Sequence, residues 1–135
     1  MKAKTIKNVF IMAGFINIVC VLLFTRFFTS SAISEASPAV MSSFGLALII
    51  IWGLAYLAIA HNYQKSKWLI GVFALEKLMY GASWIVWLKN NDLTMLIQKD
   101  FLAGMFYALY GANDLVFFVV FVYVFCLLAL NKEEV

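Results

Sequence analysis

Residues Trp68–Leu88 read WLIGVFALEKLMYGASWIVWL. At about 1.5 Å per residue a helix of this length crosses the ~30 Å hydrocarbon layer of a bilayer. Its middle holds the adjacent charges Glu76 and Lys77, with apolar or aromatic residues on both sides. Charge at mid-membrane depth is costly, so both groups are expected to turn into a protein interior or a cavity. Helical phase sorts the stretch. At about 100° per residue, Phe73, Glu76, Lys77, Tyr80, Ser83, Trp84 and Trp87 fall within about 120° of one another. The other side reads Ala74, Leu75, Leu78, Met79, Ala82, Ile85 and Val86, and is expected to meet lipid.

Three further apolar stretches flank this one, so the spans lie at about 8–26, 41–61, 68–88 and 102–130. The predicted architecture is an all-α four-helix transmembrane bundle, a single four-span membrane domain over 1–135 with short loops. The apolar runs are too long and too irregular in alternation for barrel strands. Composition agrees: 65% of the chain is hydrophobic and 13% charged, roughly half the ~25% charge of a soluble domain. That balance excludes a disordered chain, a nucleic-acid module and a conventional cytosolic enzyme. The first stretch, Lys-rich at its start and followed by Ser30-Ser31-Ala32, has the outline of a cleavable signal peptide. Its length and the positions of Asn17 and Arg26 favour a retained span.

Basic residues set the orientation. Lys2, Lys4, Lys7, Lys65, Lys67 and Lys132 fall on one side, and Arg26, Lys89 and Lys99 on the other. The positive-inside rule then makes both termini cytoplasmic, in a bacterial inner (plasma) membrane. The connections Phe27–Val40, His61–Lys67 and Lys89–Phe101 read as plain loops, with Asp100 placed to cap the fourth helix. Trp68, Trp87 and Tyr63 fit an interfacial aromatic belt, and Lys132-Glu133-Glu134 fits a solvated end.

In the fourth span Tyr107, Tyr110 and Asp114 share a narrow stripe, with Asn113 at its edge. Beside it run Gly104, Ala108, Gly111 and Ala112, small residues that let a neighbouring helix approach closely. Asn17 is the polar residue deep in the first span, and Trp52 and Tyr56 mark the inner part of the second. Counted inward from the cytoplasmic ends, Asn17, Trp52 and Glu76 all come out about 13 Å deep, and Asp114 joins them if the long fourth helix protrudes inward. One polar layer is expected. The candidate ligand-binding set is Glu76, Asp114, Lys77, Tyr80, Trp84, Tyr110, Asn113, Tyr107, Asn17 and Trp52.

Two carboxyls and one ammonium leave a charge unbalanced, unless one carboxyl is protonated, is solvated or meets a cationic ligand. No catalytic set, cofactor or metal site is expected. The single histidine, His61, stands at a membrane boundary, and Cys20 and Cys126 lie more than about 10 Å apart in depth, without metal-ligand spacing. The first functional reading is a protein that binds or transports a cationic or amphipathic small molecule, with proton coupling through a carboxyl. The second is an accessory subunit of a larger membrane complex. The third is an intramembrane enzyme using Glu76 and Asp114 as acid and base. The expected partners are the lipid bilayer and a homo- or hetero-oligomer contact through Gly104, Ala108, Gly111 and Ala112, with no nucleic acid.

Overall fold

A computed structural model describes residues 1–130, and the Lys132-Glu133-Glu134 tail lies outside the described residues. The described chain is helical: α1 (Ala3–Phe24), α2 (Ser31–Ala36), α3 (Ser43–Ile59), a 3₁₀ turn (Tyr63–Lys65), α4 (Lys67–Asn90), α5 (Leu93–Lys99) and α6 (Phe101–Leu130). Helices α1, α4 and α6 are long and apolar enough to cross a membrane, and α3 is a shorter apolar helix of 17 residues. Helix α1 starts at Ala3 rather than Asn8, because Lys4 and Lys7 are good helix formers and nothing before Asn8 breaks the ladder.

The connections Phe27–Val40 and Lys89–Phe101 are not plain loops, since they contain α2 and α5. Asp92 starts α5: its Oδ1 accepts from the backbone N–H of Thr94 at 2.9 Å and of Met95 at 3.2 Å. Helix α2 forms because Ala32 and Ile33 have a core to enter. Tyr107 Oη donates to Ile33 O at 2.8 Å, and Trp87 Nε1 donates to Ala36 O at 2.9 Å. Lys99 and Glu35 pair at 3.1 Å between α5 and α2, and the hydrogen bond and charge of Lys99 hold the exposed Glu35 carboxyl below its usual range. Trp87 and Tyr63, expected in a belt, are buried, whereas Trp68 is exposed with Lys67 Nζ 4.9 Å from its ring centroid.

Between α1 and α2 the chain turns through three left-handed residues, Arg26, Phe27 and Phe28, at φ 50°, 55° and 67°. Without glycine each costs about 1–2 kcal/mol. Buried Thr25 secures the turn, donating from Oγ1 to Val21 O at 2.6 Å and accepting from Phe28 N at 3.0 Å. Asp100 holds the same end of the molecule. Its Oδ1 accepts from Ala103 N at 3.0 Å, capping α6, and its Oδ2 pairs with Arg26 at 3.2 Å. Asp100→Ala is therefore expected to cost about 0.5–2 kcal/mol through the lost cap. Asp100→Asn, which keeps a capping oxygen but loses a half-exposed ion pair, should cost at most ~1 kcal/mol. Thermal unfolding of the detergent-solubilised variants separates the two.

The long helices associate as α1 with α3 and α4 with α6, and α1 also touches α6. Gly14 and Gly53 bring the first pair together: a Cβ on Gly14 would lie 2.7 Å from the Gly53 carbonyl oxygen. In the second pair, a Cβ on Gly81 would lie 2.5 Å from Leu115. Ala74, expected to face lipid, is buried, because it lies a heptad from Gly81 and shares the side of α4 that meets α6. The rest of the expected lipid face (Leu75, Leu78, Met79, Ala82, Ile85 and Val86) is exposed.

Two apolar cores result. One gathers Ile6, Phe10, Tyr56, Tyr63, Phe73 and Phe121. The other gathers Val21, Ile33, Leu46, Trp87, Phe106 and Tyr107. The ends are distinct in charge. Phe10 stacks on Tyr63 at 5.8 Å and Trp68 approaches Phe125 at 5.7 Å, so Lys2, Lys4, Lys7, Lys65 and Lys67 lie toward one end. Phe24 meets Phe106 at 6.2 Å at the other, near Arg26, Lys89 and Lys99.

Candidate functional site

Along the helices, the region between the two cores is where the chain places its buried charges. Lys77 is 1% exposed. Its ammonium donates to Asp114 Oδ1 at 2.6 Å and to Asn17 Oδ1 at 3.0 Å, and lies 5.3 Å from the centroid of the Tyr56 ring. Asn17 Nδ2 donates onward to Ile49 O at 3.1 Å, and Asn113 Nδ2 donates to Asp114 Oδ1 at 3.3 Å. A lysine has three protons to place, and here two of them join α4 to α1 and α6. A buried ion pair needs such extra hydrogen bonds to offset its desolvation.

Glu76 turns elsewhere. One residue along a helix is a rotation of about 100°, which carries the Glu76 carboxyl toward α3, where it accepts a hydrogen bond from the Tyr56 hydroxyl. Among the described residues Lys77 is ion-paired with Asp114, and Glu76 has no ion-pair partner. The expected single layer is thus two clusters back to back: Asn17–Lys77–Asp114–Asn113 and Tyr56–Glu76. Tyr56 was not among the candidate residues. The available signal was its position four residues after Trp52, on the same face of α3.

Each cluster borders a groove at a seam between the helix pairs. A groove of about 400 Å³ between α3 and α4 is lined by Phe44, Leu48, Trp52, Glu76, Met79 and Tyr80, with Val40 and Ser42 among its other lining residues. A groove of about 590 Å³ between α1 and α6 contains Asn17, Tyr110, Asn113 and Asp114 within an otherwise mainly apolar wall. Trp52 and Tyr80 therefore accompany Glu76, and Tyr110 accompanies Asp114. The two carboxyls line different grooves.

Trp84 and Tyr107 line neither groove. Trp84 Nε1 donates to Tyr107 O at 2.6 Å, with its indole against Gly111. The Tyr107 ring lies 4.3 Å from that of Trp87. Both side chains clamp α4 to α6, and Tyr107 also holds α2. The small residues of α6 are largely covered within the chain: Gly104 faces Ile97 of α5 and Gly111 faces Trp84 of α4. Ala112 remains exposed beside the α1/α6 groove.

No protein-family model, curated protein or solved structure matches this chain.

Proposed function

We propose that the chain is a four-span membrane protein, with both termini cytoplasmic, that binds a cationic or amphipathic small molecule in the α3/α4 groove. The observation that carries this reading is the surplus carboxyl: Asp114 takes the ammonium of Lys77, and Glu76 is left on a groove wall with the Tyr56 hydroxyl as its one hydrogen-bond partner among the described residues. A bound cation would complete the charge balance. Trp52 and Tyr80 line the same groove, where a cation over an aromatic ring gains about 0.5–2 kcal/mol, while Phe44, Leu48 and Met79 suit an apolar body. At 1.5 Å per residue α3 spans about 25 Å, a shortfall that local bilayer thinning accommodates. The five lysines toward the end formed by the start of α1 and the 63–65 turn support the orientation. A proton competing for the Glu76 carboxyl would weaken cation binding as pH falls, which is the proton-coupled form of the same reading.

Calorimetric titration of the detergent-solubilised protein with tetraphenylphosphonium tests it. Glu76→Gln keeps an acceptor for Tyr56, so the fold should persist while affinity falls at least about tenfold. Unchanged affinity in a folded Glu76→Gln variant would refute the assignment.

A further inference from the structure

The α1/α6 groove is separate from the Glu76 site and has a different chemistry. Its wall is built from apolar residues of both helices, among them Ile16, Val21, Phe24 and Phe106. Its volume of about 590 Å³ falls within the range of about 300–1,000 Å³ typical of small-ligand sites. Exposed Met12, Leu109 and Val116 stand among its lining residues, so it opens on the lateral surface of the helices rather than at an end.

The polar groups in this wall are specific. Asp114 uses Oδ1 for both Lys77 and Asn113, and no hydrogen bond among the described residues reaches its Oδ2. The Tyr110 hydroxyl and Asn113 Oδ1 likewise have no hydrogen-bond partner there, yet neither they nor Asp114 Oδ2 are sealed from the surface. Unlike Glu76, Asp114 already has its counter-charge at 2.6 Å. The groove therefore presents acceptors and a hydroxyl but no unbalanced charge. A cation entering it would stand near Lys77, and a carboxylate would meet Asp114.

We infer that the α1/α6 groove binds an uncharged single-chain lipid whose head is a hydroxyl, a long-chain alcohol in chemical class. The hydroxyl donates to Asp114 Oδ2 or Asn113 Oδ1 and accepts from Tyr110 Oη. The chain runs along Val21, Phe24 and Phe106, away from the polar residues. From Asn17 to Phe24 the apolar channel extends about 10 Å at 1.5 Å per residue.

The test uses the full chain in lipid nanodiscs with a photoreactive hexadecanol, and maps adducts by peptide mass spectrometry. Saturable labelling within α1 and α6, competed by unlabelled hexadecanol but not by hexadecane or hexadecylammonium, is the expected result. Ala112→Phe fills the groove from an exposed position and should abolish the labelling. Asn113→Leu removes a head-group partner and should weaken it about tenfold. Glu76→Gln should leave it unchanged, which separates this site from the cation site. Equal competition by hexadecane, or non-saturating labelling, would show that bulk acyl chains fill the groove and overturn the inference. Preference for hexadecylammonium would overturn it as well. Asn113 is half-buried and among the described residues its side chain bonds only to Asp114, so Asn113→Leu provides the test if Ala112→Phe fails to fold.

Discussion

Lys77→Met is expected to lower stability by about 3–5 kcal/mol, the cost of leaving one member of a buried ion pair without the other. The variant leaves the Asp114 carboxylate without its counter-charge, with the Asn113 amide as its remaining donor among the described residues, and leaves Asn17 Oδ1 without its proton. An ordinary interhelical hydrogen bond in a membrane protein contributes only about 0.6 kcal/mol, so the magnitude itself tells an essential charge pair from incidental polar contact. Adding Asp114→Asn to Lys77→Met removes the stranded charge and lets an amide reach Asn17. The double variant should recover more than half of the loss, a coupling that a double-mutant cycle measures directly. Unfolding of the purified protein by increasing SDS, followed by helical ellipticity, supplies the free energies. A loss below about 1 kcal/mol for Lys77→Met would mean that water reaches Asp114 and screens it.

The second large effect is expected at Gly111. A methyl group there would lie 1.9 Å from Trp84 Cγ and 2.0 Å from Cδ2, with the indole tied by its Nε1 to Tyr107 O. The ring cannot retreat without releasing that hydrogen bond, and the α6 backbone cannot retreat without opening the α4 interface. Gly111→Ala should therefore cost about 3 kcal/mol or more, at the upper end for overpacked cores. Gly71→Ala is the matched control. Its added Cβ meets only the Phe125 ring edge at 3.3 Å, and the better helix propensity of alanine, worth up to about 1 kcal/mol, offsets a small ring shift. The same SDS titration should rank the two in that order.

The features that reading the sequence captured are those governed by length and depth. Runs of apolar residues mark α1, α4 and α6 because a bilayer-spanning helix has a required length. Asn17, Lys77 and Asp114 meet because depth along a helix is arithmetic at 1.5 Å per residue. Rotation about the helix axis was less legible. Whether Glu76 joins Lys77 or turns to Tyr56 depends on how α4 is rolled against α3, and no periodic signal in either segment encodes that. Trp84 and Tyr107 illustrate the same gap: an aromatic on a polar face looks like the wall of a binding site until the slot at Gly111 is known, and that slot is a matter of register between two helices. Helices α2 and α5 were missed because each makes fewer than two turns and has little periodicity. Asp92 before LTMLI nonetheless has the form of an N-cap and was readable. Ala74 went to the wrong side because a small residue carries almost no hydrophobic label of its own.

The lysine that joins the helices also has a consequence for how the chain is made. Of the three long helices α4 is the least apolar, and a lysine at the centre of a span costs about 2.5–3.5 kcal/mol on entry from the translocon. Its uncharged partner, Asn17, is synthesised earlier, but its counter-ion, Asp114, is synthesised later. Helix α4 is thus synthesised before the residue with which Lys77 pairs in the folded chain. The Lys77–Asp114 pair forms only once α6 is made, so the ion pair that joins α4 to α6 belongs to assembly rather than to the entry of α4 alone.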